Sequence, residues 1–250
     1  MDAIVLAGAP NKGSLRQVSP AQYEAEIEIA GRPMLDYVVL ALERVQSIKR
    51  IVIVGYESML SNNKLDGKRL IFVKPGPSVI NSLEHGFSVL TPGEPVLILT
   101  SDIPLITKEA LEDFLDRCQG QAGEIFYSFV PKMINDQKYP GVQRTYVRLK
   151  EGTFTGGNLV LLSPEIIGEK LTTLTKAVAL RKKPLKLCRM LGWGYLFKLL
   201  LGILTIKEIE DRVAEVLGVK VVGIVSPYPE VGIDVDKPSD LKLAREVLTK

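Results

Sequence analysis

Met1–Gly13 reads MDAIVLAGAPNKG. An unbroken apolar run, Ala3–Ala7, leads directly into a turn of small residues that begins at Gly8. Apolar runs without alternating polar residues are typical of strands that are buried on both faces of a parallel sheet. We therefore predict that the chain opens with a central strand of an α/β sheet and that a small-residue turn follows this strand.

Short apolar runs alternate with helix-length amphipathic stretches through the first half of the chain. Pro, Ser or Thr residues stand at the starts of the helical stretches, where they favour helix entry. The pattern predicts a β-α-β-α-β-α-β order, which is typical of a Rossmann-like, mostly parallel sheet with helices on both faces. The predicted strands are Ala3–Ala7, Arg50–Gly55, Arg69–Lys74 and Val96–Thr100, and the predicted helices are Pro33–Val45, Ser78–Leu90 and Thr107–Cys118.

The second half of the chain is less regular, and residues 164–217 predict a helical insertion. The polar stretch Lys132–Lys150, with its Pro and Gly residues, predicts a loop. A final helix is expected from Pro238. No internal repeat divides the sequence, so we expect one domain over residues 1–250. The remaining strands are predicted at Glu124–Pro131, Asn158–Ser163, Val219–Val225 and Val231–Val235.

The composition indicates a protein that acts on a small molecule in a reducing compartment. The formal net charge is +3 and aromatic residues make up 6% of the chain, so neither a basic nor a stacking surface for nucleic acid is indicated. The two cysteines, Cys118 and Cys188, lack the spacing of a zinc site. Asp2 and the short apolar run after it argue against a signal peptide. We expect a cytoplasmic protein without a nucleic-acid partner.

The turn after the first strand is a candidate phosphate-binding loop. In open parallel sheets, ligands bind outside the carboxyl ends of the strands. The main-chain amides of a small-residue turn attract phosphate oxygens, and Lys12 adds positive charge. The alternative is an ordinary tight turn without a ligand. The candidate binding residues of this loop are Leu6, Ala7, Gly8, Ala9 and Lys12.

Three carboxylates are candidates for a Mg²⁺ site. Asp102 directly follows an apolar strand, next to Ser101, which is a further candidate for ligand contact. Asp234 and Asp236 stand two residues apart in a predicted strand, so their side chains share one face. Mg²⁺ prefers a few carboxylates together with phosphate oxygens. The alternatives are that Asp102 and Asp236 cap the helices that follow them, and we prefer Asp234 to Asp236 as a ligand.

A Gly/Pro turn after the third strand leads into a helix that carries small polar residues. Lys74 stands before this turn and adds a positive charge near the expected site. Ser78 and Asn81 can hydrogen-bond a nucleobase or ribose at the amino terminus of the helix, which favours anions. The alternative is that Ser78 is only the helix cap. His85, the single histidine, is expected on the surface of this helix.

These segments, in this order, resemble the nucleotidyltransferases of the MobA-like NTP transferase family, which have a GT-A-type fold. Each motif is short, and the resemblance depends on their conjunction along most of the chain. The matching segments are LAGAPNKG at residues 6–13 for the phosphate loop, GRPML at 31–35 for a helix entry, PSVINSL at 77–83 for base recognition, SDIP at 101–104 for the metal aspartate and IDVDKPSDL at 233–241 for the closing motif.

The resemblance implies a Mg²⁺-dependent enzyme whose partners are an NTP and a small-molecule acceptor. A phosphate or hydroxyl of the acceptor would attack the α-phosphorus and release pyrophosphate. The implied catalytic residues are Lys12, Asp102 and Asp234, and the implied metal ligands are Asp102, Asp234 and Asp236. Gly156, Gly157 and Asn158 are similar to a segment of related enzymes that borders the nucleotide and the acceptor, and a β-bulge is the alternative there.

The stretch before GRPML departs from the family pattern. Relatives commonly place a catalytic Lys there, whereas this chain has Glu24 in the segment Tyr23–Ile29. Either Lys12, Arg16 or Lys74 supplies the missing positive charge, or the protein is a nucleotide-binding regulator without catalysis. A GT-A glycosyltransferase is a further alternative, but such enzymes typically carry D-x-D where SDIP has a single Asp.

Residues 185–206, LKLCRMLGWGYLFKLLLGILTI, form an apolar stretch behind a basic lead that begins at Arg181. Arg189, Lys198 and three glycines within the stretch argue against a transmembrane span. Three interpretations stand: buried helices that pack on the sheet, a peripheral contact with a membrane surface, or a homodimer contact.

Overall fold

The computed structural model describes residues 1–60, 69–90, 93–169 and 192–249. Within these ranges the chain forms a mostly parallel sheet with helices on both faces. The strands are β1 (Asp2–Leu6), β2 (Glu28–Ile29), β3 (Arg32–Pro33), β4 (Arg50–Val54), β5 (Arg69–Val73), β6 (Val96–Thr100), β7 (Ile125–Pro131), β8 (Val147–Leu149), β9 (Gly152–Leu162) and β10 (Val221–Val225). The helices are α1 (Met34–Glu43), α2 (Val79–Phe87), α3 (Lys108–Cys118), α4 (Lys132–Lys138), α5 (Pro164–Glu169), α6 (Trp193–Leu200), α7 (Ile206–Leu217) and α8 (Pro238–Leu248).

The main sheet has the strand order β10-β7-β9-β6-β1-β4-β5, and β8 pairs with β9. Strand β9 runs antiparallel to β6, β7 and β8, and the other pairs in this sheet are parallel. From β1 the chain moves outward through β4 and β5, then returns to β6 on the other side of β1. This reversal opens a crevice at the carboxyl edge between the loops after β1 and β6. The predicted fold class is confirmed.

Both faces of the central strands are buried, which explains the unbroken apolar run at the start of the chain. Ala3 and Val5 of β1 pack with α1 and α3 on one face, whereas Ile4 packs with Leu83 of α2 on the other. The core of the first face extends to Val231, near the end of the chain. This continuity supports the single-domain organisation that we propose.

The predicted loop at Lys132–Lys150 is wrong in part, because this segment contains α4 and β8. Lys132 and Asp136 form an ion pair four residues apart, a spacing that stabilises helices. Strand β9 starts at Gly152, earlier than the predicted start at Asn158, because its first residues pair with β8. These elements were missed because the segment is polar, so that no apolar run marks β8 or the start of β9.

Val231–Val235 is predicted as a strand, and this prediction is wrong. The segment starts in a 3-10 turn, Pro229–Gly232, and continues without a strand partner among the described residues. Val231, Ile233 and Val235 are nevertheless buried. The alternation of apolar residues thus reports burial against the core, which does not require a neighbouring strand.

The predicted helical insertion contains α5, α6 and α7, and residues 170–191 lie outside the described ranges. Tyr195 and Leu199 of α6 pack against a small apolar cluster formed by Leu149, Phe154 and Leu204. The interpretation as buried helices is therefore wrong for α6, which contacts the sheet on one side and has no buried residue. Among the described residues, no helix combines the length and the apolar character that a bilayer crossing requires.

Candidate active site

Three carboxylates meet at the carboxyl edge of the sheet. Asp102 lies two residues after β6, and Asp234 and Asp236 lie in the segment before α8. Oxygens of the three carboxylates all lie within 4.8 Å of one another. Asp102 and Asp234 are half-buried, whereas Asp236 is exposed. The structure thus brings together the three residues that were predicted as metal ligands, and their role as ligands stays a prediction.

Contacts within the chain hold the carboxylates in this arrangement. The main-chain N–H of Val235 donates to the carbonyl of Asp102 at 2.8 Å, which ties the segment before α8 to the loop after β6. The hydroxyl of Thr100 donates to the Asp102 carboxylate. Neither Asp102 nor Asp236 caps a helix: the hydroxyl of Thr107 caps α3, and the N-cap residue of α8 makes no side-chain capping bond.

The side chain of Arg144, which the sequence did not mark as a site residue, holds Asp234 in position. Arg144 lies in the loop between α4 and β8, and its side chain is 8% exposed. It donates to the main-chain oxygens of Gly232 at 3.2 Å and of Asp234 at 2.6 Å. Arg144 also lies 3.5 Å from the carboxylate of Asp234 and 3.2 Å from that of Asp240. No motif marked this arginine, because a single Arg in a polar segment has no local signature.

Like charges crowd around Asp234. The pKa of Asp234 is raised to about 7. The largest cause is burial, followed by the neighbouring carboxylates of Asp102 and Asp236, while the positive charge of Arg144 lowers the pKa in part. The guanidinium of Arg144 is shared with the buried Asp240, whose other oxygen accepts the N–H of Asp236 at 3.2 Å. A divalent cation would relieve this repulsion, and a set of oxygen ligands suits Mg²⁺. The residues present therefore fit a Mg²⁺ ion.

The candidate phosphate loop is anchored at its start by the sheet. The N–H of Ala7 donates to the end of β4 at 3.0 Å, and the N–H of Ser101 donates to the carbonyl of Leu6 at 3.1 Å. The hydroxyl of Ser14 contacts the main-chain oxygen of Asp236 at 3.5 Å. Leu6, Ala7 and Ser101 thus position the loop through their main chains, next to the three carboxylates.

Gly8, Ala9 and Lys12 form the open part of this loop. Pro75 packs against Gly8, where a Cβ atom would lie 2.9 Å from Cγ of the proline, so glycine is required. Within the described part of the chain, the N–H groups of Gly8 and Ala9 have no acceptor, and Lys12 is exposed without an ion pair. These donors are available to phosphate oxygens beside the carboxylates.

The turn after β5 and the first turn of α2 lie at the same edge of the sheet. Ser78 is the N-cap of α2: its hydroxyl accepts the N–H of Asn81 at 3.2 Å and donates to the Asn81 side-chain oxygen at 2.7 Å. The capping alternative is therefore what the structure shows for Ser78, which is exposed, whereas Asn81 is half-buried. Lys74 is also exposed, and Nδ1 of His85 lies 2.8 Å from its carbonyl. His85 is on the surface of α2, as predicted.

Strand β9 carries an irregularity at the candidate acceptor segment. The register between β7 and β9 shifts within residues 156–160, so the bulge that was the alternative for this segment is present. Asn158 is buried, and its side-chain amide donates to the carbonyl of Val231 at 3.4 Å. A Cβ atom on Gly157 would lie 2.8 Å from Val231. The bulge therefore allows this segment to contact the chain just before Asp234.

A polar cavity of about 490 Å³ joins the bulge to the carboxylates. Its walls combine hydroxyl and amide groups with charges of both signs, which suits a small polar molecule. The lining includes Arg144, Thr155, Gly156, Asn158, Asp234, Asp236 and Lys237.

Glu24 lies against the phosphate loop. Its N–H donates to the carbonyl of Ala9 at 3.0 Å, so a half-buried acidic residue stands beside the donors of the loop. The guanidinium of Arg16 donates to two carbonyls of its own turn, which occupies it. Lys12 and Lys74 are therefore the better candidates for the positive charge that the family pattern places near Glu24.

Comparisons with known proteins agree with this architecture. A family model described as the MobA-like NTP transferase domain matches residues 3–181. A solved structure of a hypothetical transferase from Thermus thermophilus is 38% identical, with 96% of this chain and 98% of that chain covered and a TM-score of 0.81. The 4-diphosphocytidyl-2C-methyl-D-erythritol synthase of Anaerococcus prevotii is 16% identical, with 100% and 98% covered and a TM-score of 0.61, and shares the fold.

A curated relative matches a shorter segment. Over 96 residues the chain is 29% identical to the bifunctional protein GlmU of Rhizorhabdus wittichii, a segment that makes up 37% of this chain. The chain spans only 21% of the length of that protein.

Proposed function

The chain belongs to the MobA-like NTP transferase domain family, and from this premise we propose that it is a Mg²⁺-dependent nucleotidyltransferase. It transfers a nucleoside monophosphate from an NTP to a small phosphorylated or hydroxyl acceptor and releases pyrophosphate. One observation carries the proposal: oxygens of Asp102, Asp234 and Asp236 lie within 4.8 Å of one another, beside a loop whose first amides have no acceptor among the described residues.

Asp102 and Asp234, with Asp236 at the exposed side, hold the Mg²⁺ ion. When bound, the ion neutralises triphosphate charge and stabilises the charge that develops on the leaving pyrophosphate. Arg144 acts as a positioning residue, because it fixes the main chain at Gly232 and Asp234 before the ion binds. Such preorganisation lets the ligands act without rearrangement during the reaction.

The loop after β1 binds and orients the phosphates. The amides of Gly8 and Ala9 donate to phosphate oxygens, and Lys12 and Lys74 add positive charge from two sides of the loop. Ser78, which is exposed at the start of α2, and Asn81, which is half-buried in its first turn, contact the base or the ribose. Alignment and electrostatic stabilisation are the main demands of phosphoryl chemistry, so a site of amides, carboxylates and a few cations is sufficient.

The acceptor occupies the polar cavity that Gly156 and Asn158 line, and Gly157 lies between these two residues in the chain. Its attacking oxygen forms a bond to the α-phosphorus while the bond from that phosphorus to the bridging oxygen breaks. Pyrophosphate leaves with the electron pair of the broken bond, and an attacking hydroxyl gives its proton to solvent. A volume of about 490 Å³ fits an acceptor of sugar-phosphate size.

A second candidate function is favoured by the position of Glu24. An acidic residue that is bonded to Ala9 through its main chain adds negative charge near the loop. This charge weakens the attraction of the loop for a triphosphate, as expected of a protein that binds nucleotides without efficient transfer. Release of pyrophosphate separates the two functions, since a regulator binds a nucleotide without cleaving it.

The first experiment measures thermal stabilisation by CTP, GTP, ATP and UTP, each with Mg²⁺ and with EDTA, for the wild-type protein and Asp102→Ala. A ligand present at 100 times its Kd stabilises the folded state by about 2.7 kcal/mol. We expect base-selective stabilisation that requires Mg²⁺ and is lost in Asp102→Ala. The selected NTP is then used in a pyrophosphate-release assay against a panel of sugar phosphates and alcohol phosphates.

The matched control is Asp116→Ala, which removes an exposed carboxylate from α3. This variant should keep the full nucleotide response. Stabilisation without pyrophosphate release from any acceptor would favour the regulator. No response to any nucleotide would overturn both candidates.

A further inference from the structure

Helix α6 carries a second apolar side that nothing in the described chain covers. Its inner side, with Tyr195 and Leu199, packs on the cluster of Leu149, Phe154 and Leu204. Its outer side is open to solvent: the exposed fractions are 79% for Trp193, 64% for Phe197 and 77% for Leu200. Leu201 and Ile203, directly after the helix, are also exposed. We name these five residues, Trp193, Phe197, Leu200, Leu201 and Ile203, the outer face.

The outer face is one continuous surface along a helix. Trp193, Phe197 and Leu200 are spaced four and three residues apart, which places their side chains on one side of α6. Single exposed apolar residues are common, whereas a contiguous group of this kind marks a surface for a partner. At eight residues, or about 12 Å, α6 is far too short to cross a bilayer.

The charge of the surrounding sequence indicates the kind of partner. Residues 170–207 contain nine of the 32 Lys and Arg residues of the chain and none of its 29 Asp and Glu residues. The outer face therefore lies at the end of a strongly basic sequence, although the net charge of the whole protein is only +3. Two copies would carry the same excess of positive charge in this part of the sequence, and repulsion between like charges opposes a symmetric dimer.

We propose that the outer face of α6 binds the surface of an anionic lipid bilayer. Aromatic and aliphatic side chains on a helix that lies in the interface plane bury their apolar parts at the headgroup boundary, and nearby Lys and Arg residues attract anionic lipids. Trp193 is suited to this boundary because its ring is apolar and its N–H can be hydrated. Nucleic acid would match the charge but would leave Leu200, Leu201 and Ile203 without an apolar contact.

The test uses Trp193 as its own probe, since the chain contains a single tryptophan. Full-length protein is titrated with phosphatidylcholine vesicles that contain or lack phosphatidylglycerol as the anionic lipid. With the anionic vesicles we expect a blue shift of the emission, quenching by bromine-labelled acyl chains and co-sedimentation. Binding should weaken at least about tenfold with the neutral vesicles, and also with the anionic vesicles at about 1 M NaCl.

Phe197→Ser/Leu200→Ser tests the face while it keeps the probe, and we expect its vesicle affinity to fall at least about tenfold. Both side chains are exposed, so the fold should persist, which an unchanged Tm verifies. Met133→Ser removes an equally exposed apolar side chain from α4 and should keep wild-type binding. A third variant, Leu201→Ser/Ile203→Ser, provides an independent test if the first one is unstable.

Three results would overturn the proposal. The first is the absence of any emission shift or co-sedimentation with anionic vesicles. The second is a concentration-dependent emission shift without lipid, together with a dimer in size-exclusion chromatography, because a second copy would then occupy the face. The third is a response to RNA or heparin in the absence of a response to vesicles.

Discussion

The guanidinium of Arg144 donates to the main-chain oxygen of Asp234 at 2.6 Å and lies 3.5 Å from its carboxylate, across 90 residues of sequence. This contact joins the loop before β8 to the segment before α8. The same guanidinium forms an ion pair with the buried Asp240. One cation therefore positions Asp234, a candidate metal ligand, and neutralises the carboxylate of Asp240.

Arg144→Met should destabilise the protein markedly. Arg144 and Asp240 are 8% and 3% exposed, and removal of one partner leaves a buried charge without compensation. We expect a loss of about 3 kcal/mol in the free energy of unfolding, measured by urea denaturation. Arg117→Met, which breaks an exposed ion pair with Asp113 on α3, should cost less than about 1 kcal/mol. Equal losses in the two variants would contradict the positioning role.

Lys12→Ala should weaken nucleotide binding and leave the fold intact. Lys12 is exposed and pairs with no described carboxylate, so its removal costs no contact within the folded chain. We expect the Kd of the selected NTP to rise about tenfold, or about 1.4 kcal/mol, by titration calorimetry. Lys220→Ala, another exposed lysine far along the sequence, should bind as the wild-type protein does. A Kd that does not change in Lys12→Ala would remove this residue from the site.

Glu24→Lys should strengthen nucleotide binding. The change replaces an acidic residue, whose main chain is bonded to Ala9, with the basic residue of the family pattern. It therefore reverses the charge that this residue contributes near the phosphate loop. We expect the Kd to fall about tenfold and pyrophosphate release to become faster. Glu28→Lys makes the same change of charge on an exposed residue of β2 and serves as the control. The same gain in both variants would mean that net charge, and not the position of Glu24, is responsible.

Gly8→Ala should damage the phosphate loop. The added Cβ would lie 2.9 Å from Cγ of Pro75, and such overpacking costs about 1–3 kcal/mol. We expect a lower Tm and loss of the nucleotide-induced stabilisation. Gly194→Ala places the same methyl group in open space on α6 and should leave stability unchanged or raise it by up to about 1 kcal/mol. A normal nucleotide response in Gly8→Ala would show that the loop can move away from Pro75.

Glu208→Gln should show a pH-dependent loss of stability. The pKa of Glu208 is lowered from its ordinary value of 4.5 to about 2. The largest cause is the hydrogen bond from the Lys198 ammonium, followed by the bond from the N–H of Thr205. A carboxylate whose pKa is lowered by folding stabilises the fold above its unfolded pKa, and this contribution disappears as the pH falls toward the folded pKa. The Tm difference from wild type should therefore be constant from about pH 7 to 5 and shrink between about pH 4.5 and 2.

The control for this pH series is Glu246→Gln on α8, which removes an exposed carboxylate that lies 3.8 Å from Lys242. Its Tm should stay close to the wild-type value between about pH 7 and 5. A Tm difference for Glu208→Gln that does not depend on pH would show that the ion pair with Lys198 has no role in stability.

The sequence by itself determined the parallel half of the sheet. Strands β1, β4, β5 and β6 lie within one residue of their predicted bounds. Their apolar runs are local signals, because a strand buried on both faces must be apolar along its length. The carboxyl ends of these strands meet at one edge, so the order of the strands is sufficient to assign Gly8 and Asp102 to one site.

Only the tertiary structure decided how the second half completes that site. Three features depend on partners that are distant in sequence: the bulge near Asn158, the course of Val231–Val235 and the contacts of Arg144. The physical reason is that a local pattern reports whether a residue is buried, whereas a hydrogen bond or an ion pair requires a partner whose position is set by the folding of the whole chain.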